Sequence, residues 1–208
     1  MKTYINKING ISYKISVEEI LYSQAETLFH AIKAIPYERI KDGFKIEIGF
    51  SIFILVKNFD DEYTIVVPDY TTNPFTDTTR DLTISLGIQF EQIDILKLYN
   101  VIGKSVRYDD KLAVAKNALN KEYICLQRFS DLGESGWCIN EITLDKNGKF
   151  LSKTADEYES YYAYQLLKIR PALIKFLLLP YDYIVIVKND DILDILNEKD
   201  ESIIEDKL

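Results

Sequence analysis

Strand-like and helix-like segments come in blocks along this chain instead of alternating strictly, which disfavours a doubly wound parallel sheet. The ordering points to an α+β fold with mixed or antiparallel sheets and packed helices. Asn9-Gly10 is the clearest local signal. It stands between TYINKI and ISYKIS, and Asn-Gly in that setting closes a two-residue hairpin. Ser16 followed by Glu19 then has the spacing of a capping box. Val17, Ile20, Leu21, Leu28, Ile32 and Ile35 recur at helical spacing until Pro36.

Two β-rich segments, GFKIEIGFSIFILVK and EYTIVVPDY, flank a turn at NFDDE. PDYTTNPFTDTTR, with its prolines and many hydroxyl side chains, reads as an ordered loop. Leu82, Leu86, Gln89, Ile93 and Leu96 would share one helical face. Further on, KEYICLQRF is the clearest strand, and GWCINEITL pairs with the segment after the DKNG turn. TADEYESYYAYQLLK reads as a helix capped by Thr154 and broken at Arg170-Pro171, because proline disfavours helical geometry in its predecessor. PALIKFLLL restarts as a helix with proline in its first turn, YIVIV is a buried strand, and DDILDILNEK a short amphipathic tail helix. The expected organisation is an N-terminal α+β region over 1–109, a C-terminal α+β domain over 110–190 and an acidic tail over 191–208. One continuous domain over 1–190 is the alternative.

The formal charge of −8 is unevenly placed. From Asn189 onward eight acids stand against two lysines, a net of −6, so residues 1–188 carry only −2. A chain with no basic footprint is a poor direct ligand for nucleic acid and suits a basic partner. Two cysteines make no disulfide framework, and the N-terminus lacks an apolar signal core. The most apolar run, ALIKFLLLPYDYIVIV, is interrupted by Lys175, Pro180 and Asp182, so no membrane span is expected. These features together describe a reduced, cytoplasmic protein.

Catalytic and metal chemistry find little support. His30 is the only histidine, which excludes a His-rich metal site. Cys125 and Cys138 lie in strand patterns, away from any sequence-local base, and read as packing residues. Asp69, Asn73, Asp77 and Asp81 repeat every fourth residue, but the spacing lacks the central glycine and terminal glutamate of a calcium loop. Turn formation and capping by their side chains is the stronger reading. No phosphate-binding glycine loop, G-x-S-x-G or C-x-x-C is present, so no catalytic residue, metal or cofactor is assigned.

One resemblance goes further. A charged loop leads into Ser135-Gly136-Trp137 at a strand start. Next come a helix, Arg170-Pro171, a leucine-rich helix, Leu179-Pro180 and the apolar YIVIV. This succession resembles bacterial immunity proteins of polymorphic toxin systems, a family first catalogued as a domain of unknown function. IGFSIFIL, VVPDYTTNPF and DLTISLGIQFEQIDIL look like the companion region of longer members, extending the likeness over residues 40–188. One departure is Tyr181-Asp182, where a glycine is expected after Leu-Pro. The resemblance implies a non-catalytic protein that binds and neutralises a cognate protein toxin inside the producing cell. Asp131 and Glu134 on the loop, Trp137 after it, and Asp200 and Glu201 in the tail are the expected partner-binding residues, with Trp137 also suited to anchor a core. Two other classes compete: a small enzyme using Cys138 or the loop aspartates, and an adaptor subunit of a larger assembly.

Overall fold

In the computed structural model, which describes residues 1–59, 61–152 and 157–204, Asn9-Gly10 joins β1 (Lys2–Ile8) to β2 (Ile11–Val17). Their φ angles of 51° and 87° are the pair of left-handed residues a type I′ turn needs. Pairing continues to Lys2↔Val17, so Ser16 lies inside a strand and the expected capping box does not form. Ser16 Oγ shares a hydrogen bond of 2.9 Å with Thr3 Oγ1 instead. Helix α1 (Tyr22–Lys33) begins later and buries Ala25, Leu28, Phe29 and Ile32, while Ile20 is 89% exposed.

β3 (Lys45–Ile48), β4 (Ser51–Phe59) and β5 (Glu62–Pro68) complete a sheet of order β1-β2-β5-β4-β3, and β6 (Thr78–Thr79) adds to β5. Only β2 and β5 run parallel. Ile15, Leu55, Ile65, Leu82 and Leu86 are fully buried at its core. Between β5 and the next helix, the Asp and Asn side chains turn the chain. Asp69 Oδ1 accepts hydrogen bonds from Thr71 N at 2.9 Å and Thr71 Oγ1 at 2.6 Å, and Asn73 Oδ1 accepts one from Phe75 N at 3.1 Å. Asp81 Oδ1 holds Thr83 N at 3.0 Å and starts α2 (Thr83–Leu98). The four-residue repeat of acids and amides thus makes Asx turns and a helix start.

The buried positions of α2 are Ser85, Leu86, Ile88, Gln92 and Ile95, whereas Ile93 is 37% exposed. The apolar face is therefore rotated from the expected one, since a helix apolar on several sides gives no single stripe to read. The chain divides into compact units between Glu91 and Gln92, within this helix. Residue 109, the expected boundary, lies within the second unit, in the stretch that leads into β7 (Lys111–Ala115).

β8 (Tyr123–Arg128), β9 (Trp137–Leu144), β10 (Phe150–Ser152), β11 (Tyr158–Tyr162), β12 (Ile184–Lys188) and β13 (Asp191–Leu196) follow. The sheet order is β11-β7-β9-β8-β12-β13, with β10 on β9, and only β7 and β9 run parallel. With both sheets mixed and helices packed in each unit, the class is α+β.

Two helix expectations fail here. Residues 158–162 form β11, paired to β7 from Tyr158↔Ala115 to Tyr162↔Lys111, and the helical stretch starts only at Ala163. Thr154, the expected cap, lies outside the described residues. The tail segment is β13, because Asn189 at φ 53° closes a two-residue turn and sets Lys188 opposite Asp191. The PALIKFLLL helix is present as a 3-10 helix, Pro171–Leu178, with proline in its first turn. Among the described residues, no helix is long and apolar enough to cross a membrane.

Candidate functional site

Along β8 the side chains alternate, so Ile124, Leu126 and Arg128 share a face. All three are fully buried. A guanidinium at a core position must find partners for five N–H groups, and here they are backbone carbonyls. Nε donates to Ser135 O at 2.9 Å. Nη1 donates to Lys104 O at 2.7 Å, to Leu177 O at 3.3 Å and to Leu179 O, and Nη2 to Ser105 O at 3.3 Å. The Tyr181 ring lies 4.7 Å from the guanidinium carbon and the Trp137 ring 5.6 Å. No described carboxylate pairs with the group, and burial pushes its pKa down to about 10, so it stays charged at neutral pH.

This cation gathers the motifs that carry the resemblance. Ser135 supplies a carbonyl to Arg128, while its hydroxyl donates to Lys111 O and accepts from Trp137 N at 3.1 Å. Gly136 has φ 77°, and a Cβ there would stand 2.4 Å from Phe129 O and 2.9 Å from Tyr181 Cε1. Trp137 Nε1 donates to Leu177 O at 3.0 Å. Asp182, in place of the expected glycine, takes φ 66°, a left-handed conformation that aspartate tolerates better than most residues. Its N–H donates to Arg128 O at 2.7 Å. Arg170 is 7% exposed, donates to Lys121 O at 3.0 Å and meets Asp190 Oδ1 of the β12–β13 turn at 3.3 Å. Ser-Gly-Trp, Leu-Pro and Arg-Pro are therefore fold-holding elements.

Trp137, expected at a partner surface as well as in the core, is fully buried and has no face to offer a partner. Both cysteines are buried, and neither forms a disulfide. Burial pushes the Cys138 thiol up, away from the thiolate, and Asn140 Nδ2 lies 3.3 Å from its sulfur. Cys125 packs with Ile142 and Ile186. Among the described residues, no group of three or more His, Cys, Asp and Glu side chains could hold a metal ion.

The four other expected residues are exposed, and the sheet register brings them to one end. Arg128 pairs with Trp137, Gln127 with both Cys138 and Ile184, Ile184 with Leu196, and Cys138 with Ala113. The β8–β9 loop bearing Asp131 and Glu134 thus projects from the same end as the turn after β13 bearing Asp200 and Glu201. Strands lie about 4.8 Å apart, so this end spans a few such spacings. Asp109, Asp110, Asp182 and Glu198 join it, giving eight acids against Lys104, Arg107, Lys111, Lys199 and the buried Arg128. Burial pushes the Asp110 carboxyl up, and the charges of Asp109 and Glu134 push it further. Burial and the Glu198 charge likewise push the Tyr183 phenol up.

The turn after β13 is built, not loose. Asn197 Oδ1 accepts from Lys199 N at 2.9 Å and Glu201 N at 3.0 Å, and its Nδ2 donates to Glu201 Oε2 at 3.1 Å. Glu205 and Asp206 of the expected acidic tail lie outside the described residues. Sequence reasoning missed Arg128, although a lone cation in register with Ile124 and Leu126 was the available signal. It also missed Asp109, Asp110 and Asp182, which only the strand register brings beside the loop.

Comparison with curated proteins and with solved structures found no match. The Imm33-like domain family matches residues 91–198, which begin one residue before the second compact unit and include the whole Arg128 assembly and most of the acidic end. The likeness read over residues 40–90 lies outside that match. With more than half of its length covered, the chain belongs to the Imm33-like domain family, a family of immunity proteins.

Proposed function

We propose that the protein is a cytoplasmic immunity protein that binds a cognate protein toxin and neutralises it without catalysis, meeting it with the acidic end of the second sheet. Family membership carries the reading, because an immunity protein implies a toxin partner. The choice of surface rests on the eight acids that the register collects there, several on turns fixed by hydrogen bonds. Such a surface suits a basic toxin and raises the rate of encounter more than it adds affinity.

The test is co-production with a toxin drawn from the neighbouring genes, together with measured association rates. The fourfold variant Asp131→Asn, Glu134→Gln, Asp200→Asn, Glu201→Gln is expected to associate roughly tenfold more slowly at low salt and to converge with the wild type at high salt. Equal rates at every ionic strength would remove this surface from the reading. Absence of any complex would remove the function.

The competing thiol-enzyme reading is tested separately. Cys125→Ala with Cys138→Ala is expected to protect cells as the wild type does, since both side chains are buried and burial pushes the Cys138 thiol up. Lost protection at an unchanged melting temperature would return the enzyme reading.

A further inference from the structure

We propose that the first unit, outside the matched family region, binds a small organic cation: an alkylammonium or guanidinium group on a short apolar body. The site is a cleft of about 210 Å³ between the 68–81 loop and the first turn of α2. That is several times a water molecule's share of liquid volume, roughly 30 Å³. Asp69 and Asp81 line it with the hydroxyl residues Thr71, Thr79 and Ser85. Pro68 and Ile84 add apolar wall, and no lysine, arginine or histidine takes part.

Ser85 is the decisive residue. It is 1% exposed, and its Oγ is the one buried side-chain nitrogen or oxygen among the described residues without a hydrogen-bond partner. A buried hydroxyl left in that state forgoes the free energy of a hydrogen bond, and native structures leave few such groups. A donor entering the cleft would restore it. The charge of the lining selects a cationic donor. The Asp69 carboxyl is held below the usual carboxylate range by hydrogen bonds from the Thr71 hydroxyl and amide, so it is ionised at neutral pH. Asp81 Oδ1 is engaged by Thr83, which leaves Oδ2 for a ligand. Arg80, adjacent in sequence, is exposed and, among the described residues, forms no ion pair with either acid. An ammonium or guanidinium head would meet the carboxylates through charge-assisted hydrogen bonds, with its alkyl part against Pro68 and Ile84.

The head group could belong to a free diamine or to a lysine or arginine side chain of another polypeptide. Amide-resolved NMR titration of the full chain separates them. One arm uses putrescine and agmatine, and the other a short blocked peptide with a central lysine. Saturable shifts confined to Thr71, Thr79, Asp81 and Ser85 are expected in the millimolar range. Response to the diamines assigns a free ligand, and response to the peptide alone assigns a protein-borne one. Asp81→Asn keeps the acceptor for Thr83 while removing the charge, and should weaken binding by about tenfold or more. Ser85→Ala should weaken it by a smaller factor. If Asp81→Asn disturbs the rest of the spectrum, Asp69→Asn replaces it. No saturable shift, an affinity indifferent to the carboxamide variants, or shifts spread over acids of residues 92–208 would each overturn the site.

Discussion

Arg128→Met is expected to destabilise the second unit by on the order of 3–5 kcal/mol, a large share of an ordinary domain's stability. The methionine fills part of the volume but donates nothing, so the carbonyls of Lys104, Ser105, Ser135 and Leu179 lose the partner that Arg128 supplies. Each buried acceptor left without a donor costs about 1–3 kcal/mol, and local relaxation keeps the sum below simple addition. Arg128→Lys should fall between, since an ammonium keeps the charge but cannot fan out to carbonyls on several segments. Chemical denaturation gives the stability. The single tryptophan reports the cause, because fully buried Trp137 packs beside the guanidinium and its blue-shifted native emission should move to the red in the methionine variant. Wild-type stability for Arg128→Met would show that these carbonyls find other partners and that the cation is dispensable.

Gly136→Ala is the second large effect, on the order of 2–4 kcal/mol. Two causes act together. The residue holds φ 77°, and the added methyl would stand 2.4 Å from a backbone oxygen, that of Phe129, which cannot swing aside as a flexible side-chain tip would. Phe129 N also donates to Gly136 O at 2.7 Å, so the turn cannot open without losing that bond. Denaturation midpoints and amide-resolved spectra should show the loop residues 129–136 displaced first. A neutral outcome would mean that the loop rearranges freely and does not hold Asp131 and Glu134 in place.

Local signals are legible wherever a turn or strand is decided by near neighbours. Asn9-Gly10, DKNG and the apolar, β-branched KEYICLQRF and YIVIV segments all specify their own geometry, and the Asx pattern of residues 69–81 does so through hydrogen bonds to nearby residues. What escapes is decided at a distance. YESYY carries tyrosines that suit a helix surface as well as a strand, and its pairing with Lys111–Ala115 lies over 40 residues away in sequence. β13 is hidden because DILDIL has apolar residues at spacings that fit either period, and the Asn189-Asp190 turn decides between them. For the candidate surface, exposure and charge of Asp131, Glu134, Asp200 and Glu201 can be read locally. Their assembly at one sheet end with Asp109, Asp110 and Asp182 depends on register, which no single segment encodes.

The turn after β13 also bears on how the second sheet ends. Ile203 N donates to Ile195 O at 2.9 Å, and Ser202 bridges Leu196. The chain thus folds back along its own last strand and occupies backbone groups that an outermost strand normally leaves unpaired. Asp194 tightens the return, its Oδ1 accepting from the Ser202 hydroxyl, and Asp191 puts a further charge on the remaining stretch of that strand. Acidic residues here act as a guard against strand addition, the route by which edge strands recruit extended peptides or neighbouring chains into aggregates. Trimming the chain at Asn197 would remove that return as well as charge, and the shortened protein would expose backbone groups at Ile195 and Leu196 that the intact one keeps paired.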